Sequence, residues 1–341
     1  MAEVTGRPEP GGMRTDNYLR TYTYLRTMMV GLLLALGASV LFQTGHQTWI
    51  PLASVSAYYF TSAQPIFVGV LIALGACMIA LKGTNLVEEV FLDLGGIFAA
   101  VVAIVPTSRG PDFETALRAC HQAGELLTGQ ASSGTECPTL EALEAATRAN
   151  VVNNMDSLLV IGLLGLAATM FFARRDSSRL GAWFWWGFGA ALVVYAGAAA
   201  GALLFTDWFV HTGHGIAAGG LLLCVLVVAI VNALRHSGGM PAGAGVPGAV
   251  TAGAGLKAAG TAMVGPPARL DRYAWIAWLM VAVAVVGGVL VLMNAFALFW
   301  LELAVALLFA VFWAAQTWEL MPRPAADPRP APAAAGREVV A

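Results

Sequence analysis

Charge is what this sequence has least of. Only 11% of its 341 residues are Asp, Glu, Lys or Arg, against about 25% in an ordinary soluble domain. With 58% hydrophobic residues, the apolar surplus exceeds what a water-soluble core can absorb, so lipid must solvate part of the surface. No sign of charge dominates either: the net charge is -2, which argues against a nucleic-acid partner. Cysteine is scarce, with four residues and no C-x-x-C pair, which removes zinc-knuckle designs. Walker loop, G-x-S-x-G elbow, H-E-x-x-H and haem C-x-x-C-H are all missing, so nothing points to ATP-driven transport by this chain alone. The alternating pattern of an outer-membrane barrel is absent as well.

What is present is a series of apolar runs, each about 17 to 27 residues long, enough to cross roughly 30 Å of hydrocarbon as helix. They cover Thr27 to Gln43, Pro65 to Leu81, the stretch from Glu88, Glu89 and Asp93 to Pro106, Ser157 to Ala173, Leu180 to Phe205, Thr206 to Ala233, Tyr273 to Met293, and Ala295 to Trp318. The expected fold is all-α, a polytopic transmembrane bundle of about eight spans. Residues 1–26 read as a polar N-terminal tail. Residues 27–234 form a six-span bundle with a long polar loop over 107–154, and 235–271 form a Gly/Ala/Pro-rich linker. Residues 272–318 are a two-span hairpin and 319–341 a disordered tail. The first run has a basic flank like that of a signal peptide. The long polar segment before it and the polytopic pattern after it favour a retained span.

Basic residues orient this arrangement. With the N-terminus cytoplasmic, all of the 18 Lys and Arg except Arg109, Arg118 and Arg148 fall on the cytoplasmic side, as the positive-inside rule requires. Both termini are then cytoplasmic and the expected location is the inner (plasma) membrane. The loop 107–154 is then external, where Cys120 and Cys137 are expected to form a disulfide; two free thiols are the alternative. Glu141 to Ala149 reads as a short outer helix in which Glu144 pairs with Arg148 at i+4. Cys77 and Cys224 lie in apolar runs and act as small hydrophobes.

Asp207, His211 and His214 sit at i, i+4 and i+7, a narrow stripe near the outer end of the sixth span. Two imidazoles and a carboxylate make a candidate site for zinc or another divalent ion. The plainer reading is an N-cap at Asp207 and interfacial histidines bonded to backbone carbonyls. Glu302 lies in the eighth span, where an ionisable group costs roughly 2.5 to 3.5 kcal/mol and normally faces the bundle interior. It is expected to pair with a base such as His211 or His214, or to stay protonated. His46 lies at a similar depth. Ser54, Ser56, Tyr58, Tyr59 and Thr61 form either a hydroxyl-lined mouth or an aromatic belt with its hydroxyls in water. Glu88, Glu89 and Asp93 suit the positive end of a helix dipole, with Asp93 in reach of Lys82 or Arg179. Gly95, Gly96, Ala99, Ala100 and Ala103, and the pair Gly197 and Gly201, are helix-packing faces. Trp183, Trp185 and Trp186 read as an interfacial anchor.

Three of these segments resemble a family of uncharacterised bacterial multi-pass membrane proteins. They are SVSAYYFTSAQPIFVGVLIALG, VEEVFLDLGGIFAAVVAIVPT, and the paired histidines taken with Glu302 and Trp313 of FWLELAVALLFAVFW. The family carries no assigned activity. A looser pattern is similar to the membrane hydrolases that include alkaline ceramidases and the progestin and adiponectin receptor-like proteins, which use a Ser, an Asp and three His. Here Ser54 or Ser56, Asp93, His211 and His214 are the nearest matches, although the histidines are spaced H-x-x-H and no third one lies in a span.

The leading expectation is therefore an integral membrane protein that senses, binds or passes a small solute through an outward polar pocket. A metal-dependent lipid or amide hydrolase is the first alternative. It would use Asp207, His211, His214 and Glu302, with bound zinc activating water. A proton-coupled carrier is the second. The expected partners are the bilayer and a small-molecule or lipid ligand.

Overall fold

The computed structural model describes residues 10–47, 50–83, 85–107, 111–128, 137–175, 180–236, 272–293 and 298–320. The linker 237–271, the tail 321–341 and Arg179 lie outside the described residues. Among those described, the fold is all-helical, with no strand. The helices in chain order are α1 (Pro10–Gln47), α2 (Gln64–Ala80), α3 (Leu86–Ile104), α4 (Pro111–Thr128), α5 (Leu140–Arg175), α6 (Ala182–Leu204), α7 (Thr206–His236), α8 (Arg272–Leu292) and α9 (Leu298–Leu320). A single 3-10 helix, Ser56–Phe60, lies between α1 and α2.

Six of these helices are long and apolar enough to cross a membrane: α1, α5, α6, α7, α8 and α9. α2 is apolar but shorter, with 17 residues, and α3 carries Glu88, Glu89 and Asp93. Apolar helices that present this much side chain to their surroundings identify a multi-pass membrane protein in contact with lipid.

α3 is the central helix, packed between α2 and α7. Its small residues explain why. A Cβ on Gly96 would lie 2.5 Å from the Gly75 carbonyl oxygen, and one on Gly75 2.6 Å from the Gly96 oxygen. The α2 and α3 backbones therefore touch where both residues are glycine. Gly95 faces Met78 of α2 and Cys224 of α7 in the same way. α1 packs on α9 and α2, and α8 lies against α7 and α9.

α5 and α6 stand apart from this tight group. Only 11% of the membrane-length stretch of each is buried, against 44% for α7. Their outer faces carry Ile161, Leu164, Phe172, Trp186 and Val193, all more than half exposed. The Tyr195 hydroxyl donates to the Leu159 carbonyl at 3.1 Å and ties α6 to α5. Gly201 of α6 seats the Phe209 ring, while Gly197 meets nothing within 4 Å, so only half of that glycine pair packs within the chain.

Three elements differ from expectation. α1 is already helical at Pro10, inside the stretch read as a polar tail. α5 runs unbroken for 36 residues; the short helix expected over Glu141 to Ala149 and the span expected from Ser157 are one rod. The loop 107–154 also contains the amphipathic helix α4, fastened by a disulfide between Cys120 and Cys137 and packed through Phe113 against Phe60, ring centroids 6.2 Å apart.

The buried apolar residues form two clusters, one at each end of the bundle. The first gathers Val40, Tyr58, Phe67, Val102, Met155 and Phe299. The second gathers Met29, Met78, Leu92, Val228, Phe312 and Trp313. Each holds a carboxylate, and the two ends are named below for Glu302 and Glu88.

Candidate functional site

At the Glu302 end, the chain from Ala53 to Phe60 folds back over the start of α9. The Phe299 amide donates to the Ala53 carbonyl at 2.9 Å. The first amides of a 3-10 turn have no partner within the turn, and the Glu302 carboxylate supplies one. Val55 N–H donates to its Oε2 at 2.6 Å and Ser56 N–H at 3.3 Å, and Ser56 Oγ reaches Oε1 at 3.4 Å. Ser54 Oγ accepts from the Ala57 amide at 3.0 Å. Tyr58 is 1% exposed; its hydroxyl bonds to Thr44 and accepts from the Leu52 amide. These hydroxyls are inside the fold and bonded within the chain. They form neither a belt in water nor an open mouth, because the turn needs them to satisfy its own backbone.

The histidines do not join this arrangement. His214 is buried and its Nδ1 lies 2.6 Å from the Val105 carbonyl oxygen. A carbonyl can only accept, so Nδ1 carries the proton. Val105 closes α3 ahead of Pro106, and its carbonyl has no further helical turn to bond; His214 caps that end. His211 and His46 are exposed. Asp207 falls in the first turn of α7 and its exposed Oδ1 accepts from Arg148 Nε at 2.8 Å. Arg148 thus pairs across to α7, and not with Glu144 on its own helix. Asp207, His211, His214 and Glu302 hold separate environments, and among the described residues no group of three His, Cys, Asp or Glu is placed to hold a metal ion.

The Glu88 end was not assembled from the sequence. Asn85 caps α3, its side-chain oxygen accepting from the Glu88 amide at 2.8 Å. The N-cap followed three residues later by Glu has the form of a capping box, but the Glu88 side chain turns inward instead. It is fully buried, and Oε1 accepts from Asn232 Nδ2 at 3.0 Å. That same nitrogen donates to the Val228 carbonyl at 2.9 Å. Asn232 Oδ1 in turn accepts from Gln316 Nε2 at 2.9 Å. A carboxylate and two amides from α3, α7 and α9 form one chain of hydrogen bonds.

Arg26 of α1 completes this end. It ends the stretch expected to be a polar tail, yet it is only 3% exposed. Its Cζ lies 4.3 Å from the Tyr22 ring centroid and 5.0 Å from that of Trp313. One terminal nitrogen donates to the Tyr22 hydroxyl at 2.5 Å, and that hydroxyl donates to the Lys82 carbonyl at 3.1 Å. Lys82 pairs with Glu89 at 2.5 Å, not with Asp93. Asn232 and Gln316 each stand as an amide inside an apolar run, and that is the signal by which sequence reading finds such a centre.

No family model matches the chain, and neither does any curated protein or solved structure.

Proposed function

We propose that this chain is an eight-span inner-membrane protein with both termini cytoplasmic, and that it binds a small polar solute inside the bundle at the Glu88 end, for sensing or for passage. One observation carries the reading. Arg26 and Glu88 are 3% and 0% exposed and, with Asn232 and Gln316, bring polar side chains from four apolar helices to one place. Ionisable groups inside a membrane bundle are costly and mark ligand or ion sites. The proposed orientation puts this end toward the cytoplasm and the Glu302 end outward. Eight alternating spans, with α4 in the outer loop, agree with the distribution of Lys and Arg.

Two experiments test this. Single cysteines at Lys257 and Thr115, probed with an impermeant thiol reagent in intact cells, are expected to label only at Thr115; labelling at Lys257 overturns the orientation. Purified protein in nanodiscs is then screened for solutes that raise its unfolding temperature. The response is expected to vanish in Asn232→Leu with Gln316→Leu, and a screen without a single saturable response in the unaltered protein overturns the binding centre.

A proton-coupled carrier is the second reading, favoured by a buried carboxylate, Glu88, at one end of the bundle and a half-buried one, Glu302, at the other. It predicts gradient-driven uptake that fails in Glu302→Gln; uptake that survives the substitution removes it.

A further inference from the structure

The Glu88 end leaves four enclosed polar atoms without a hydrogen-bond partner: Arg26 Nε, Asn85 Nδ2, Trp313 Nε1 and Gln316 Oε1. Three are donors and one is an acceptor. Turning the amides does not repair this. Asn232 Nδ2 is committed to Glu88 and to the Val228 carbonyl, so its oxygen faces Gln316. Gln316 Nε2 donates to that oxygen, which leaves Gln316 Oε1 in need of a donor from elsewhere. Trp313 and Gln316 are one turn apart on α9, and the Trp313 ring lies against the Arg26 guanidinium.

Charge narrows the occupant further. Arg26 makes no ion pair; Lys82 pairs with Glu89 and Arg148 with Asp207. The faces of Tyr22 and Trp313 offset part of the cost of taking a guanidinium out of water, and a counter-anion offsets the rest. Glu88, bonded to Asn232, makes no ion pair with Arg26. A neutral water satisfies hydrogen bonds and leaves the charge uncompensated.

We propose that this centre holds a small oxyanion that keeps at least one hydroxyl, of the bicarbonate or dihydrogen phosphate kind. Its anionic oxygens accept from Arg26 Nε and Trp313 Nε1, and its hydroxyl donates to Gln316 Oε1. The inference rests on the reading of the Glu88 end as a solute centre and names the solute's class.

The test uses the full chain in nanodiscs, with unfolding temperature followed against bicarbonate, phosphate, formate and urea. Bicarbonate or phosphate is expected to give a saturable rise, and the one that acts at lower concentration identifies the source. Formate, which lacks the hydroxyl, is expected to need about ten times more. Trp313→Phe keeps a ring over Arg26 and deletes one donor; it is expected to weaken binding about tenfold. Gln316→Leu is expected to bring formate and bicarbonate to equal affinity, and it serves as the readout if Trp313→Phe does not fold. An unchanged affinity in both variants overturns the assignment, as does a crystallographic water in the oxyanion's place. Binding of urea alone overturns the anion and keeps the solute centre. Silence from all four probes overturns the oxyanion; the solute centre falls only if the wider screen is silent too.

Discussion

Glu302 and Glu88 are both carboxylates placed inside the bundle, and they are held by different kinds of partner. Glu302 is bound by two backbone amides and a hydroxyl from one short turn. Glu88 accepts from the side chain of Asn232 on α7, which in turn accepts from Gln316 on α9. Backbone donors are fixed by the fold and leave nothing over, so the Glu302 end reads as a clasp that fastens the 3-10 turn to α9. Side-chain donors come with spare atoms, and at the Glu88 end four of those atoms have nothing to bond. The two ends lie about 21 Å apart along α9, fourteen residues at 1.5 Å each. A bundle can thus carry one polar cluster closed on itself and another with atoms to spare, and the bookkeeping of hydrogen bonds separates them.

The largest effect is expected where the two ends are joined. Gly96→Val forces a side chain into the Gly75 carbonyl and should lower stability by about 3 kcal/mol; unfolding in a graded detergent series measures it. A loss below about 1 kcal/mol would show that the α2–α3 crossing does not hold the ends together. Next, Glu302→Ala strands the Val55 and Ser56 amides and should cost about 2 to 3 kcal/mol. Limited proteolysis should then cut within residues 50–63 sooner than in the unaltered protein, and an unchanged cleavage rate would break the clasp assignment. Arg26→Met sharpens the contrast. It removes an unpaired buried cation and should leave unliganded stability within about 1 kcal/mol of its starting value, while abolishing oxyanion binding. A loss as large as that of Glu302→Ala would make the Glu88 end architectural as well. The smallest effect belongs to neither end: Asp207→Asn breaks an exposed ion pair and should cost under about 1 kcal/mol, a difference that 1 M salt erases.

Much of the fold was legible because lipid imposes a simple requirement. α6, α7, α8 and α9 stand out as apolar runs bounded by polar or glycine-rich segments. α5 was harder to read, since Asn153, Asn154 and Asp156 resemble a loop although a helix running out of the bilayer tolerates them. α1 hid its length for the same reason. The sites were less legible. Arg26 sits where basic residues usually flank a span, so its burial has no signature of its own. Glu302 stood out as a carboxylate within an apolar run, but its partners are amides, which every residue except proline owns. His214 was noticed for its spacing to His211, whereas its partner is a carbonyl at the end of a distant helix. Sequence marks where polarity is unusual; it does not say what meets it.

α5 extends for 36 residues, about 54 Å, while the hydrocarbon layer is roughly 30 Å thick. Much of its length therefore extends past that layer as a stiff mast, with α4 tied by the disulfide to Cys137, just ahead of its first residue. Arg148, on the exposed part of that mast, grips the first turn of α7, the helix that supplies Asn232. The exposed stretch of α5 and the first turn of α7 are thereby joined by a pair of charges outside the apolar part of the bundle.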